Sequence, residues 1–333
     1  MQFGTTPAEL ADRYRFIKKL SDDPNFNLFL AESIQSSERV VIHSYDIQSV
    51  QDWKNCDSFQ SEVNNLKTLN IKGVPKLIEV LEYLDLPTPR VFIIQEYIEA
   101  ESLETMMSNG YRMPHSKIYK LAVDLLGILD ELHTQNPPII HRDIKPANIL
   151  VKQLPNGDFQ PYLINFVSLC HPDILLDSST IAGTFGYMSP EQMMGERTSE
   201  SDFYALAATI VHLLSNVPPY EMEMREGDLR LMFEPYLNDV PETVVSLLKQ
   251  MLTPTVQDRL TQIFVLKERF AQFAQGQFGK TEDLNYANAS SDPLVLDLPN
   301  QLADSNGKNN VNIFFAILFI IVISIIMLLF RLL

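Results

Sequence analysis

Cysteine is scarce in this chain. Only Cys56 and Cys170 occur in 333 residues, far apart and in no C-x-x-C pair. That spacing argues against a disulfide framework and against a thiolate zinc site, and it points to a reducing compartment for the folded part. Basic charge is also in short supply, with 26 Lys plus Arg against 42 Asp plus Glu and a net charge of −16. A protein that grips nucleic acid needs a basic footprint on the phosphates, so no nucleic acid partner is expected. The stretch from Met1 to Leu10 has no apolar core and is followed by charged residues, so no secretory leader is expected there.

What is present begins with length: 333 residues can hold two lobes with sizeable cores. A hydrophobic run sits at the far end. From Ile313 to Phe330 there is no charge and only Ser324 interrupts, which with Val311 approaches the roughly 20 residues that span a bilayer. A buried core helix is the plainer alternative, but an all-round apolar helix behind a polar linker has no domain left to bury it. A single-pass membrane anchor is therefore expected over 311–333. Lys308 and Arg331 are too balanced to orient it.

The most informative stretch runs from His141 to Leu150, HRDIKPANIL. Asp143 is an acid spaced to accept or orient a hydroxyl proton, Lys145 to meet a transferring phosphate, and Asn148 to hold a metal ion. So many polar roles in so few residues need a tight loop, which Pro146 stiffens, and Ile149, Leu150 and Val151 then read as a buried strand. An ordinary polar turn is the competing reading.

The string resembles the catalytic loop of the Ser/Thr protein kinase family, in particular its bacterial and cyanobacterial members, and the resemblance runs from Tyr14 to Ala274. It implies ATP and Mg as cofactors and a protein substrate. Several positions depart from the family pattern. Strands are expected at Tyr14 to Leu20 and Leu28 to Ala31, and between them Ser21, Asp23 and Phe26 stand where the family has three phosphate-loop glycines. Glycine there lets backbone N–H groups approach phosphates, whereas Asp22 and Asp23 repel them. On the next strand, Arg39 to Asp46, His43 stands at the position of the phosphate-binding lysine. It is shorter and mostly uncharged at neutral pH. Glu62, on a helix expected at Phe59 to Leu69, falls at the lysine's ion-pair position and is left with His43 or solvent. Val91 to Glu96 leads into the interlobe hinge, with Gln95 at the gatekeeper position and Glu96 and Ile98 placed to meet an adenine.

Lys117 to Gln135 is an amphipathic helix with Ile118, Leu121, Leu125, Ile128 and Leu132 on one stripe. After the catalytic loop, ILVKQL and FQPYLIN form a hairpin through Pro155, Asn156 and Gly157. By resemblance Asn165, Phe166 and Val167 then replace D-F-G, although Asp158, Phe159 and Gln160 offer a rival register. Asn165 would thus be a metal ligand together with Asn148, and a neutral amide is a weak ligand for a hard cation. The stretch from Ile181 to Gln192 matches the family's substrate-binding segment. It implies that Thr184 bonds Asp143 and Lys145, that Glu191 pairs with Arg259, and that Asp202 holds the catalytic loop from behind.

The fold expected is α+β: a bilobal kinase-like domain over 14–274, its mainly β N-lobe with one helix at 14–96 and its mainly α C-lobe at 97–274. An N-terminal segment (1–13) precedes it, and a polar linker (275–310) and a C-terminal transmembrane helix follow. With the glycine loop, lysine and metal aspartate replaced together, the expected function is that of a catalytically impaired pseudokinase. It would be held at a membrane with its domain cytoplasmic and would act by binding a partner such as a related kinase. The alternative is an active Ser/Thr kinase with an unusual nucleotide site.

Overall fold

The computed structural model describes residues 7–21, 26–46, 67, 69–84, 89–166, 183–196, 198–225 and 227–279. A short helix α1 (Ala8–Arg13) leads into an antiparallel sheet of β1 (Tyr14–Ser21), β2 (Phe26–Ser33), β3 (Arg39–Asp46), β4 (Leu77–Tyr83) and β5 (Arg90–Glu96), in the order β1-β2-β3-β5-β4. The period of two along each strand separates two faces. Val40 and Ile42 of β3 join Phe92 and Ile94 of β5 in one cluster, while Tyr45 joins Val91 and Ile93 in another.

Leu10 of α1 is fully buried in the first cluster. Arg13 donates to both carboxylate oxygens of Glu79 on β4 at 2.7 Å, and the Tyr14 hydroxyl donates to the same carboxylate. The boundary expected at Tyr14 therefore cuts through packed structure, and residues 8–13 belong to the N-lobe.

The C-lobe opens with β6 (Glu101–Ser102) and α2 (Leu103–Ser108), which Ser102 caps by accepting the Thr105 N–H at 3.1 Å. Then come α3 (His115–His133), the strands β7 (Ile149–Gln153) and β8 (Phe159–Leu163), and the helices α4 (Pro190–Met193), α5 (Ser199–Ser215), α6 (Glu242–Met251) and α7 (Ile263–Ala274). All five apolar residues of the expected α3 stripe are buried, and the helix begins and ends two residues earlier than its periodicity suggests. The β7–β8 hairpin forms as expected, with Gly157 at φ +80 in its turn. Helix α5 is buried on all sides from Ser201 to Leu213, so it is the axis around which the lobe packs.

The expected helix at Phe59 to Leu69 with Glu62, the acidic pair Asp22 and Asp23, Val167, and the membrane span from Ile313 to Phe330 lie outside the described residues, Lys67 and Leu69 excepted. Among the described residues no helix is long and apolar enough to cross a membrane.

Candidate active site

The catalytic loop is held from behind by α5. Asp202, in its first turn and fully buried, accepts the backbone N–H groups of His141 and Arg142 and the Nε2 of His133, each at 2.8 Å. Three donors satisfy a carboxylate that burial would otherwise penalise heavily. Two helical turns on, on the same face, the Thr209 hydroxyl donates to the Ile144 carbonyl at 3.1 Å.

His141 lies inside the loop, its Nε2 2.9 Å from the Ile164 carbonyl and its Nδ1 3.3 Å from the Asp143 N–H. One nitrogen must donate and the other accept, which is the neutral Nε2–H tautomer. Burial pushes its pKa down, against the pull of the Asp202 carboxylate and the Ile164 carbonyl. Its ring packs edge-on to Phe166 at 4.8 Å.

Four expected residues converge in front of this frame. The Asp143 carboxylate accepts from the Thr184 hydroxyl at 2.7 Å through Oδ1, and from Asn148 at 2.8 Å and Lys145 at 2.9 Å through Oδ2. Lys145 also donates to Thr184 Oγ1 at 2.5 Å. Asn148 ends a single 3-10 turn started by Pro146, and this aims its amide at both the side chain and the carbonyl of Asp143, each at 2.8 Å. The set joins an acid, a cation and a hydroxyl within hydrogen-bond distance of one another, an arrangement suited to orienting a hydroxyl beside a phosphate.

The nucleotide side differs. The His43 side chain, on β3 opposite Leu28 and Ile93, is 5 % exposed, and burial pushes its pKa down to about 4 against the opposing pull of a hydrogen bond with Gln95. Its ring stacks on Tyr45, whose hydroxyl stands 3.4 Å from Nδ1. Burial thus favours the uncharged ring at neutral pH. Glu96 ends β5, its N–H given to the Lys76 carbonyl at 2.9 Å, and Ile98 is buried with its carbonyl accepting the Ala100 N–H at 2.9 Å.

Asn165 follows β8, as the preferred register requires, while Asp158 precedes β8 at the hairpin turn and sits 3.4 Å from Lys120. Asn165 has φ +75, a conformation Asn adopts more readily than most residues, and its amide donates to Asn148 Oδ1 at 3.3 Å. The two expected metal positions are thus neutral amides bonded to one another. Among the described residues no three His, Cys, Asp or Glu side chains gather as a metal site. This donor set does not fit a hard divalent ion, which favours carboxylate oxygens.

Among the described residues, Glu191 meets the partner that the resemblance implies. Arg259 forks onto Glu191 at 2.6 and 2.8 Å, with both side chains buried, and also donates to the carbonyls of Thr253, Glu200 and Pro254. Burial alone would raise the Glu191 pKa, but the bonds from Arg259, Ser189 and Ser201 outweigh it and hold the carboxyl below its ordinary value.

Sequence reasoning did not single out His133, Thr209 or Gln192, although Gln192 donates to the Arg142 carbonyl at 2.6 Å. The spacing of Thr209 from Asp202 was the only available signal, because the partners of all three are on distant segments.

Residues 27–271 match the family profile described as "Protein kinase domain". The chain is 28% identical over 271 residues to Serine/threonine-protein kinase PknA of Nostoc sp., covering 76% of this chain and 46% of that protein. It is 28% identical over 212 residues to Serine/threonine-protein kinase B of Synechocystis sp., covering 60% and 35%. To Serine/threonine-protein kinase PknB of Mycobacterium leprae it is 25% identical over 217 residues, covering 65% and 34%. The chain thus spans about a third to a half of the length of these curated relatives. With the two lobes, the Asp143 hub and the Glu191–Arg259 pair in place, the chain belongs to the protein kinase family, with bacterial Ser/Thr kinases among its relatives.

Proposed function

We propose that this chain is a kinase-like signalling protein impaired in phosphoryl transfer, held at a membrane by residues 313–330, which acts by binding a protein partner such as a related kinase. The observation that carries the reading is His43, buried and neutral where the family places its phosphate-binding lysine. The amide pair Asn148 and Asn165 supports it from the metal side. Phosphoryl transfer depends on positioning and charge neutralisation, so loss of both cationic elements removes most of what a nucleotide triphosphate needs.

The test is the melting temperature of the full chain in detergent with millimolar ATP, with and without magnesium or manganese. The reading expects no metal-dependent rise. A second reading, an active Ser/Thr kinase with an unusual nucleotide pose, draws on the Asp143 hub, whose contacts to Lys145, Asn148 and Thr184 are all formed. A metal-dependent rise, with phosphorylation abolished by Asp143→Asn, would favour it over the first.

A further inference from the structure

We infer that Gln192 is a positioning residue for Asp143: its side-chain amide holds the peptide unit that precedes Asp143 and ties residues 183–196 to the catalytic loop. The inference goes beyond the proposed function and rests on the geometry around Asp143 and Thr184, which are bonded at 2.7 Å.

Arg142 has φ +68, and a bulky residue keeps that conformation only where its surroundings over-determine it. Its N–H is bound to Asp202 at 2.8 Å, and its carbonyl accepts from Gln192 Nε2 at 2.6 Å. The same peptide unit presents the Asp143 N–H to His141 Nδ1 at 3.3 Å. The unit is therefore held at both ends, by α4 at the oxygen and by the His141 ring at the hydrogen. Rotation of this plane would swing Asp143 away from Thr184 and Lys145.

Gln192 can act as a fixed reference because α4 is anchored independently of the loop. Its neighbour Glu191 is bound to Arg259, and its own N–H is accepted by the Ser189 hydroxyl at 3.4 Å. The space around the amide is reserved as well. A Cβ on Gly183 would lie 2.6 Å from the Gln192 side-chain nitrogen and 3.0 Å from the Arg142 oxygen. The residue before Thr184 is thus a glycine packed directly against this clamp, which joins the substrate segment to the loop at a second point beside the Thr184–Asp143 bond.

The experiment compares the full chain with Gln192→Met, which keeps the length and deletes the donor, and Gln192→Glu, which turns a carboxylate onto the carbonyl. Nuclear magnetic resonance reads amide exchange at Asp143 and the ring nitrogens of His141. Both variants are expected to exchange the Asp143 amide about tenfold faster, the scale of one lost buried hydrogen bond. The His141 Nδ1 resonance is expected to move while amides of α3 and α6 keep their protection. An unchanged Asp143 amide and His141 ring would overturn the inference, as would a uniform loss of protection in all helices with no selective effect. Should neither variant fold, the unaltered protein decides. Gln192 side-chain protons protected from exchange support the clamp, and protons exchanging like a free amide overturn it. None of these readouts uses nucleotide or partner, so a metal-dependent ATP shift would sink the impaired-kinase reading and leave Gln192 untouched.

Discussion

Asn165 donates its side-chain amide to the side-chain oxygen of Asn148 at 3.3 Å. In one bond the two positions expected to hold a metal satisfy each other without charge. His43, at the position of the family's phosphate-binding lysine, is buried, and burial lowers its pKa.

Restoring only one charge should therefore fail. His43→Lys and Asn165→Asp singly are expected to leave the melting temperature insensitive to magnesium and ATP, and the double variant is expected to gain a metal-dependent rise. A double variant that stays insensitive would place the defect elsewhere in the N-lobe.

The Glu191–Arg259 pair is a stability element with a defined pH signature. Arg259→Leu leaves a buried carboxylate unpaired and is expected to cost about 3–5 kcal/mol in urea unfolding at neutral pH. Glu191 titrates below its ordinary value, so its contribution is present above the unfolded pKa and disappears as pH falls through the folded one. The gap between parent and variant should accordingly narrow in acid.

His43 predicts a second acid-sensitive window. Its folded pKa is about 4 against 6.5 unfolded, and His212, buried beside Tyr187, is lowered to about 4 in the same way. Between those values the unfolded chain binds protons that the folded chain refuses, so stability falls as pH drops from 6.5 towards 4. For His43 the full effect is about 3 kcal/mol. His43→Gln should flatten that part of the stability profile measured by denaturant unfolding, and a profile as steep as the parent's would contradict the buried neutral ring.

Asp202 and Thr209 grip the same loop with different force. Asp202→Ala strands three buried donors and is expected to cost about 3 kcal/mol or more, whereas Thr209→Val removes one neutral bond and should cost about 1 kcal/mol. Equal costs in thermal or urea unfolding would show that the loop is not organised around the carboxylate.

Much of this architecture was legible because it is local. Asp143, Lys145 and Asn148 are close neighbours in sequence, and a proline-stiffened turn leaves few ways to arrange them. The α3 stripe and the β7–β8 hairpin follow from period and turn chemistry. Strand β4 was not legible, since the register shift between Leu77 and Glu79 breaks its alternation. Nor was α1, whose single buried leucine in six residues carries no periodicity. Thr184, Glu191, Asp202 and Arg259 could be placed only through resemblance to a family, and the structure brings each to its expected partner.

The sequence by itself determined the α3 stripe, the β7–β8 hairpin, the acidic balance, the composition of the catalytic loop and the substitutions at His43 and Asn165, because these depend on residue identity and short-range stereochemistry. Only the tertiary structure decided that His43 is buried and uncharged, that Asn148 and Asn165 bond each other, and that Gln192 reaches the Arg142 carbonyl. Protonation depends on desolvation, and a backbone carbonyl looks the same in every residue. Both are set by neighbours that the chain brings in from far away.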